Sequence, residues 1–256
     1  MDKIKQSTTN ITLNTLNVYK TIIPNDDSIA KNIGGAIYYF IGKQGSGKST
    51  VVKALIKYLA PMIAEGVAIS ATEKRNGFYS RIFNPQYVYS EYSPTIINKI
   101  NKRQDSIMES SKYKDTDTYF LLILDDLSFD KKIWNSKEIN ELIRNSRHSR
   151  IIIFIIAQFD RDMPSCIREN VNGIFMFTNQ SPNSIEKVCR DFIRQTDYKT
   201  IQAILNGIEK EYTSLFVDVN SNSKKLEQFL FLFRPTLEFV QNTKFGAEYL
   251  YTLNNA

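Results

Sequence analysis

Apolar residues are concentrated in about five short runs, and a stretch of mixed polarity follows each one. The runs occupy residues 36–41, 67–70, 119–126, 150–157 and 173–178. Strands that are buried on both faces of a parallel sheet are continuously apolar, whereas half-exposed strands alternate between apolar and polar residues. The pattern therefore predicts an α/β fold built on a mostly parallel sheet.

The stretches between these runs repeat apolar residues at helical spacing. The predicted helices cover residues 50–59, 96–108, 137–144, 184–194 and 200–208. Right-handed crossovers between parallel strands bring such helices onto both faces of the sheet. Further along, residues 215–219 and 229–233 predict a C-terminal β-hairpin around a polar turn.

The pattern divides the chain into three regions. Residues 1–33 are polar and predict an N-terminal arm or edge element. Residues 34–235 form the predicted α/β core, and residues 236–256 form an amphipathic C-terminal tail.

Length and composition agree with one large α/β domain, or with one domain and a small appendage. The chain has 256 residues, 42% of them hydrophobic, and a net charge of +6 that is compatible with a polyanionic partner. Nothing approaches the roughly 18 consecutive apolar residues of a membrane span, so none is predicted. Cys166 and Cys189 suggest neither a disulfide framework nor a metal site, and the N-terminus lacks the apolar core of a signal peptide. The prediction is an intracellular, reducing location.

Residues 42–49 complete the phosphate-loop pattern G-x-x-x-x-G-K-[ST] directly after the first apolar run. A predicted helix follows, so the order is strand, glycine-rich loop, helix. Gly42, Gly45 and Gly47 are expected to adopt backbone angles that side chains disfavour, which lets successive N–H groups converge on an anion. The positive end of the following helix adds to the same site.

The loop predicts an ATP site with Mg²⁺. Lys48 is expected to contact the β- and γ-phosphates, and the Ser49 hydroxyl is expected to ligate Mg²⁺. The predicted nucleotide contacts are Gly42, Gln44, Gly45, Ser46, Gly47, Lys48, Ser49 and Thr50.

Two carboxylates, Asp125 and Asp126, end the third apolar run. Downstream of a phosphate loop this is the Walker B arrangement. It predicts that Asp125 holds the Mg²⁺ shell and that Asp126 orients or deprotonates the attacking water. Gln158 directly follows the next apolar run, residues 150–157. It either senses the γ-phosphate and holds that water, or serves only as a hydrogen-bonding group at a strand end.

Arg144, Arg147 and Arg150 recur every three residues ahead of the fourth apolar run. In a ring ATPase such an arginine can reach the γ-phosphate of a neighbouring subunit. It can equally stabilise the negative C-terminal end of a helix. Spacing leaves both roles open.

Other basic residues are candidate ligand contacts. Lys74, Arg75 and Arg81 follow the second apolar run, and ligands bind where the strands of an open α/β sheet end. Lysines and arginines also form a basic face on predicted helix 96–108. For both groups a solvated surface is the commoner role.

Several nucleotide-binding classes do not fit the chain. A GTPase needs an Asn-Lys-x-Asp reader, and the two Asn-Lys pairs between residues 98 and 104 lack the aspartate. An ABC-type ATPase needs a Leu-Ser-Gly-Gly-like signature, which is absent from the sequence. An arginine-rich lid of the small-molecule kinase type is not evident. A RecA-like motor remains.

The chain resembles the FtsK–HerA superfamily of DNA-pumping ATPases, and within it the poxvirus-type genome-packaging ATPases of large DNA viruses. The resemblance covers roughly residues 35–235. The motifs that carry it are the phosphate loop, the strand ending in Asp125-Asp126, residues 145–148 before the strand that leads to Gln158, and the Pro164, Arg168 and Asn170 pattern.

The resemblance implies a homo-oligomeric ring, a hexamer or pentamer, that translocates double-stranded DNA into a capsid by ATP hydrolysis. It implies a capsid or portal-type virion protein as a partner, with action in the host cytoplasm at the viral assembly site or in the virion. Arg147 or Arg168 would act on the nucleotide of a neighbouring subunit. Many members carry glutamate where this chain has Asp126. The shorter aspartate side chain departs from the common pattern for the residue that acts as the base.

Two other functions stay open at this point. One is an ATP-gated assembly scaffold, in which nucleotide binding changes affinity for a partner without turnover. The other is a nucleotide kinase, which would form a phosphorylated small-molecule product and ignore DNA.

Overall fold

The structure, a computed structural model, describes residues 2–4, 11–22, 35–63, 65–110, 119–127, 131–158 and 163–246. The strands are β1 (Asp2–Ile4), β2 (Ile11–Thr15), β3 (Ile37–Ile41), β4 (Glu65–Ser70), β5 (Val88–Tyr89), β6 (Phe120–Asp125), β7 (Ile151–Ala157), β8 (Val171–Phe177), β9 (Ser214–Asp218) and β10 (Leu230–Phe233). The helices are α1 (Val18–Thr21), α2 (Lys48–Leu59), α3 (Glu73–Asn76), α4 (Pro94–Glu109), α5 (Lys131–Trp134), α6 (Lys137–Asn145), α7 (Ser165–Arg168), α8 (Pro182–Phe192), α9 (Tyr198–Asn206) and α10 (Leu237–Val240).

The strands form one sheet in the order β1-β2-β10-β9-β8-β3-β7-β6-β4-β5. All pairings from β8 to β5 are parallel. The five predicted apolar runs are β3, β4, β6, β7 and β8, with ends shifted by a residue or two. The predicted mostly parallel α/β sheet is therefore confirmed. β5 was not predicted, because a strand of two residues is too short to display a periodic pattern.

Helices cover both faces of the sheet, as predicted. Every residue of β3 is buried, and its side chains alternate between two apolar layers. Ile37, Tyr39 and Ile41 lie in the layer that includes buried residues of α4, α6, α8 and α9. Tyr38 and Phe40 lie in the opposite layer, with the apolar face of α2. Each of the two layers therefore joins the central strand to helices on its own side.

The antiparallel part of the sheet lies beyond β8. β9 pairs antiparallel with β8 and with β10, which confirms the predicted C-terminal hairpin. β2 pairs parallel with β10, and β1 pairs antiparallel with β2. Part of the N-terminal region thus extends the sheet. Of the predicted C-terminal tail, residues 247–256 lie outside the described residues, whereas Val240 and Phe245 are buried.

The sheet has two ends that matter for function. We call the end where β3, β4, β6, β7 and β8 finish the carboxyl end, and the end where they begin the amino end. The parallel register of β3, β7 and β6 brings Ile41, Ala157 and Asp125 to the carboxyl end. Within the described ranges, no helix is long and apolar enough to cross a membrane, and both cysteine thiols are free.

Candidate active site

The phosphate loop connects the end of β3 to the start of α2 at the carboxyl end of the sheet. Gly45 and Gly47 have φ angles of +76° and +93°, in the region that favours glycine. Gly47 also caps α2, whose first turn contains no acidic residue. The positive end of this helix is therefore not neutralised locally, which suits it to bind an anion.

A glycine is required at position 42 for a reason different from the predicted one. Its φ lies outside the left-handed region that Gly45 and Gly47 occupy. A Cβ at Gly42 would lie 2.7 Å from the Cβ of Phe177 and 2.7 Å from the Oγ of Ser46. The prediction that all three glycines serve through their backbone angles was thus wrong for Gly42, where the constraint is close packing.

Lys48 turns back onto the loop that precedes it. Its ammonium donates hydrogen bonds to the carbonyl of Gly42 and, at 2.7 Å, to that of Lys43. An ammonium has three donors, so the third remains for a phosphate oxygen. Burial lowers the pKa of Lys48, and the charges of Asp125 and Asp126 oppose that shift. The lysine and both predicted carboxylates therefore belong to one electrostatic site.

The other predicted contacts lie along the same loop and the first turn of α2. Gln44 and Ser49 are exposed, while Ser46 and Thr50 are half-buried. Tyr212 packs against the loop, since a Cβ on Gly47 would be 3.2 Å from the Tyr212 Cα. Sequence reasoning missed Tyr212, because nothing in its local pattern connects it to residue 47.

Asp125 ends β6 beside the end of β4. The Ser70 hydroxyl donates to Asp125 Oδ2 at 3.3 Å, and Tyr79 also hydrogen-bonds the Asp125 side chain. Burial raises the pKa of Asp125 to about 6, with Asp126 adding to the shift and the two hydroxyl donors and Lys48 opposing it. Asp125 is thus a mostly buried carboxylate that is held by hydroxyl groups.

Asp126 leaves the strand with a φ of 53°, a conformation that aspartate tolerates better than most side chains. Its backbone N–H donates to the carbonyl of Ile156 on β7 at 3.0 Å. The side-chain amide of Gln158 donates to Asp126 Oδ2 at 2.9 Å. Two residues that are predicted to handle the attacking water are thereby joined across neighbouring strands.

The two predicted arginines lie at the opposite end of the sheet. Arg147 is exposed and lies between the end of α6 and the start of β7. Arg168 ends α7, ahead of β8, and its guanidinium is 3.5 Å from the carboxylate of Asp191. β7 has seven residues, so its ends are about 20 Å apart at ~3.3 Å per residue. Neither arginine can therefore reach the phosphate loop of its own chain.

Two of the basic residues after β4 have partners within the chain. Lys74 forms an ion pair with Glu91 at 2.7 Å on an exposed surface. Arg81 donates to the carbonyl of Gly77 at 2.8 Å and to that of Asn76. These contacts explain the two side chains without a ligand.

The donor set suits Mg²⁺ bound together with a nucleotide. Among the described residues, no cluster of three or more histidine, cysteine, aspartate or glutamate side chains could hold a metal alone. Mg²⁺ usually takes one or two protein oxygens and completes its shell with water and substrate phosphates. The carboxylate of Asp125 and the hydroxyl of Ser49 fit this coordination preference.

The phosphate loop lies between the central parallel strand β3 and a helix, and the carboxylates end β6, which is separated from β3 by β7. This arrangement defines a P-loop nucleoside triphosphatase. The family model described as "Poxvirus A32 protein" matches residues 37–236, and the chain belongs to this family. Family membership confirms the resemblance to the packaging ATPases of large DNA viruses.

Relatives and solved structures agree with this assignment. Protein 075L of Invertebrate iridescent virus 6 is 31% identical over 233 residues, which cover 90% of this chain and 88% of that protein. Protein 015R of Frog virus 3 (isolate Goorha) is 29% identical over 224 residues, covering 88% and 69%. The genome packaging NTPase B204 from Sulfolobus turreted icosahedral virus 2, in complex with ATP-gammaS, has a TM-score of 0.54 at 20% identity, over 79% of this chain and 98% of that chain. At that identity the likeness concerns the fold.

Proposed function

We propose that this protein is an ATP-driven motor that translocates double-stranded DNA and packages a viral genome into its capsid. The observation that carries the proposal is the meeting of Lys48, Asp125, Asp126 and Gln158 at the carboxyl end of adjacent parallel strands. Membership of the poxvirus A32 family supports it, as does the fold shared with a viral genome packaging NTPase.

The loop is proposed to bind the phosphates of ATP. Its N–H groups and the start of α2 surround the β-phosphate, and the free donor of Lys48 takes an oxygen between the β- and γ-phosphates. Ser49 and Asp125 would hold Mg²⁺, which neutralises charge on the phosphate oxygens when bound. Asp125 contributes its carboxylate only when it is ionised.

Asp126 and Gln158 are proposed to handle the attacking water. The amide of Gln158 donates to one oxygen of Asp126 and restrains the orientation of the carboxylate. The other oxygen of Asp126 is then available to accept a proton from water. The carbonyl oxygen of the Gln158 side chain can accept a second hydrogen bond from the same water or respond to the γ-phosphate.

The exposed Arg147 is proposed to act on the nucleotide of a neighbouring subunit. Its position at the amino end requires a head-to-tail arrangement, and such an arrangement closes into a ring when the rotation between subunits allows it. We propose a pentamer or hexamer that works with a capsid or portal-type virion protein at the assembly site in the host cytoplasm. The ion pair of Arg168 with Asp191 argues for a structural role there.

The test is steady-state ATP hydrolysis with and without linear double-stranded DNA, at low and moderate salt. A motor that contacts DNA phosphates is expected to show stimulation that fades as salt rises. Hydrolysis that is indifferent to DNA would contradict the proposal. A phosphorylated small-molecule product would then favour a nucleotide kinase, and ATP-dependent partner binding with slow hydrolysis would favour a scaffold.

A further inference from the structure

The segment after β4 folds back onto the carboxyl end of the sheet. α3 ends at Gly77, whose φ of +55° lies in the left-handed region and whose N–H donates to the carbonyl of Glu73 at 2.8 Å. The chain then reverses and forms a 3₁₀ turn at Tyr79–Arg81. This reversal returns Tyr79 to the end of β6, where Asp125 lies.

Tyr79 is 2% exposed, and its hydroxyl hydrogen-bonds the carboxylate of Asp125. Its ring packs edge-on against Phe78 at 4.9 Å between centroids and against Phe83 at 6.4 Å. A phenol hydroxyl carries its proton at neutral pH. The Tyr79 hydroxyl is therefore a donor to the Asp125 carboxylate.

Glu73 fixes the backbone that carries Tyr79. The residue is only 8% exposed, and its two carboxylate oxygens accept from two successive backbone N–H groups. Oε2 accepts from Tyr79 at 3.0 Å, and Oε1 accepts from Ser80 at 2.9 Å. A buried carboxylate needs such hydrogen bonds to offset its desolvation. With both oxygens engaged, Glu73 serves as an anchor for the turn.

Asp125 thus receives two hydroxyl donors from residues that follow one another closely in the chain. Ser70 reaches Oδ2 at 3.3 Å from the end of β4, and Tyr79 reaches the carboxylate from the 3₁₀ turn. Two donors that belong to separate elements restrict rotation of the carboxyl group. Groups that orient a metal-binding carboxylate in this way typically change metal affinity 10- to 100-fold when removed.

We propose that Tyr79 is a positioning residue of the magnesium site, holding the Asp125 carboxylate toward the nucleotide while Glu73 holds Tyr79 in place. The proposal rests on the proposed function, in which Asp125 belongs to the Mg²⁺ shell. It assigns the segment after β4 to ATP hydrolysis, although none of its side chains needs to touch the nucleotide.

The test compares Tyr79→Phe with the native protein. The variant keeps the buried ring and removes only the hydroxyl. The Mg²⁺ concentration for half-maximal ATP turnover is expected to rise about tenfold, with turnover at saturating Mg²⁺ within about twofold of native. Independently of turnover, the affinity of the ATP-gammaS-bound protein for Mn²⁺, measured by electron paramagnetic resonance, is expected to fall about tenfold.

Tyr92→Phe is the matched control. It removes the hydrogen bond between the Tyr92 hydroxyl and Ser136 Oγ, which are 2.8 Å apart, and leaves both hydroxyl donors of Asp125 in place. It is expected to lower the melting temperature while leaving both metal measurements at native values. Equal metal affinities in native protein, Tyr79→Phe and Tyr92→Phe would overturn the proposal and leave Tyr79 with a packing role.

Glu73→Gln provides a second variant if Tyr79→Phe does not fold. Its side-chain carbonyl can still accept from one backbone N–H, but its amide cannot accept from the other. The metal measurements are expected to shift about threefold, less than for Tyr79→Phe; unchanged values would overturn the anchoring role. Native protein whose hydrolysis ignores DNA would refute the motor function, whereas the Mn²⁺ comparison would still decide the role of Tyr79.

Discussion

The two ends of the parallel sheet are built in different ways. At the carboxyl end the polar side chains contact one another: Gln158 bonds Asp126, Tyr79 bonds Asp125, and Lys48 lies in the field of both carboxylates. At the amino end Arg147 extends into solvent. The carboxyl end thus holds a connected set of polar groups, whereas the amino end presents a cation about 20 Å away from it. The contrast agrees with the proposal that a second copy of the chain completes the site.

The largest effect is expected at the carboxyl end itself. Lys48→Ala removes the ammonium that is proposed to contact the phosphates, so ATP turnover should fall at least about a thousandfold. Steady-state phosphate release at saturating ATP measures this. Lys53→Ala removes the same charge from the same helix and should stay near native activity. Comparable losses in both variants would mean that general charge, and not the loop contact, is what matters.

Arg147→Ala tests whether the amino end contributes to catalysis. If the arginine acts on a neighbour, turnover should fall about 10³-fold, with the melting temperature of the protein unchanged because the side chain is exposed. The exposed Arg144, one helical turn earlier, offers a matched control. Arg144→Ala is expected to retain activity.

Mixing variants sharpens this test. Subunits with Lys48→Ala still carry Arg147, and subunits with Arg147→Ala still carry Lys48. In a mixed ring some interfaces combine the two intact groups, so activity should reappear although each variant alone is inactive. Failure of every mixture to regain activity would argue against a site shared between subunits.

Substitution of Gln158 tests the hydrogen bond that joins the ends of β6 and β7. Its expected effect on turnover is smaller. Gln158→Ala should lower turnover roughly 10- to 100-fold while ATP binding is largely kept, because the residue is proposed to act on the attacking water through Asp126 and contributes no charge to phosphate binding. Gln158→Glu should be worse, since a second carboxylate would face Asp126 at hydrogen-bonding distance. If Gln158→Glu retained more activity than Gln158→Ala, the amide donor would not be what positions Asp126.

The features that could be predicted from the sequence are those that are encoded locally. The parallel strands and the phosphate loop are encoded locally, as apolar runs and fixed spacings, and they were predicted nearly to the residue. The pairing of Asp126 with Gln158 also follows locally, because neighbouring parallel strands end side by side. Such features need only the periodicity of the chain and the rules of parallel sheets.

The features that sequence reasoning missed depend on chain reversals. Tyr79 reaches Asp125 because Gly77 permits a left-handed turn, and Tyr212 reaches Gly47 across the start of β9. Neither tyrosine belongs to a spacing pattern that contains its partner. The reason for Gly42 was missed likewise, since the close approach of Phe177 comes from a strand far along the chain.

The buried charge of Asp125 is expected to lower the free energy of unfolding. Its pKa is about 6 in the folded protein, against about 3.9 when unfolded. Below about pH 4 both forms are protonated; between pH 4 and 6 only the folded form keeps the proton, so stability falls as pH rises. Asp125→Asn should therefore raise the free energy of unfolding at pH 8 by about 3 kcal/mol.

Urea unfolding with EDTA, without nucleotide, at pH 4 and pH 8 measures this effect. The difference between Asp125→Asn and native protein should nearly vanish at pH 4. Asp218→Asn, another strand-end carboxylate whose pKa burial raises, provides a comparison outside the phosphate site. A variant that is less stable than native protein at both pH values would show that the charge of Asp125 is compensated by its neighbours.

The smallest effect is expected at Arg168, and it separates the two arginines of the amino end. The Arg168 side chain is 38% exposed, but the side chain of its partner Asp191 is only 9% exposed and lies 3.5 Å away. Arg168→Ala leaves that carboxylate with Arg190, which is also 3.5 Å away but more exposed. The free energy of unfolding should fall by about 1 kcal/mol, and adding Asp191→Asn should recover part of the loss. Turnover per folded subunit should stay near native, unlike that of Arg147→Ala. A thousandfold loss of turnover in Arg168→Ala at full stability would instead make Arg168 the arginine that acts across the interface.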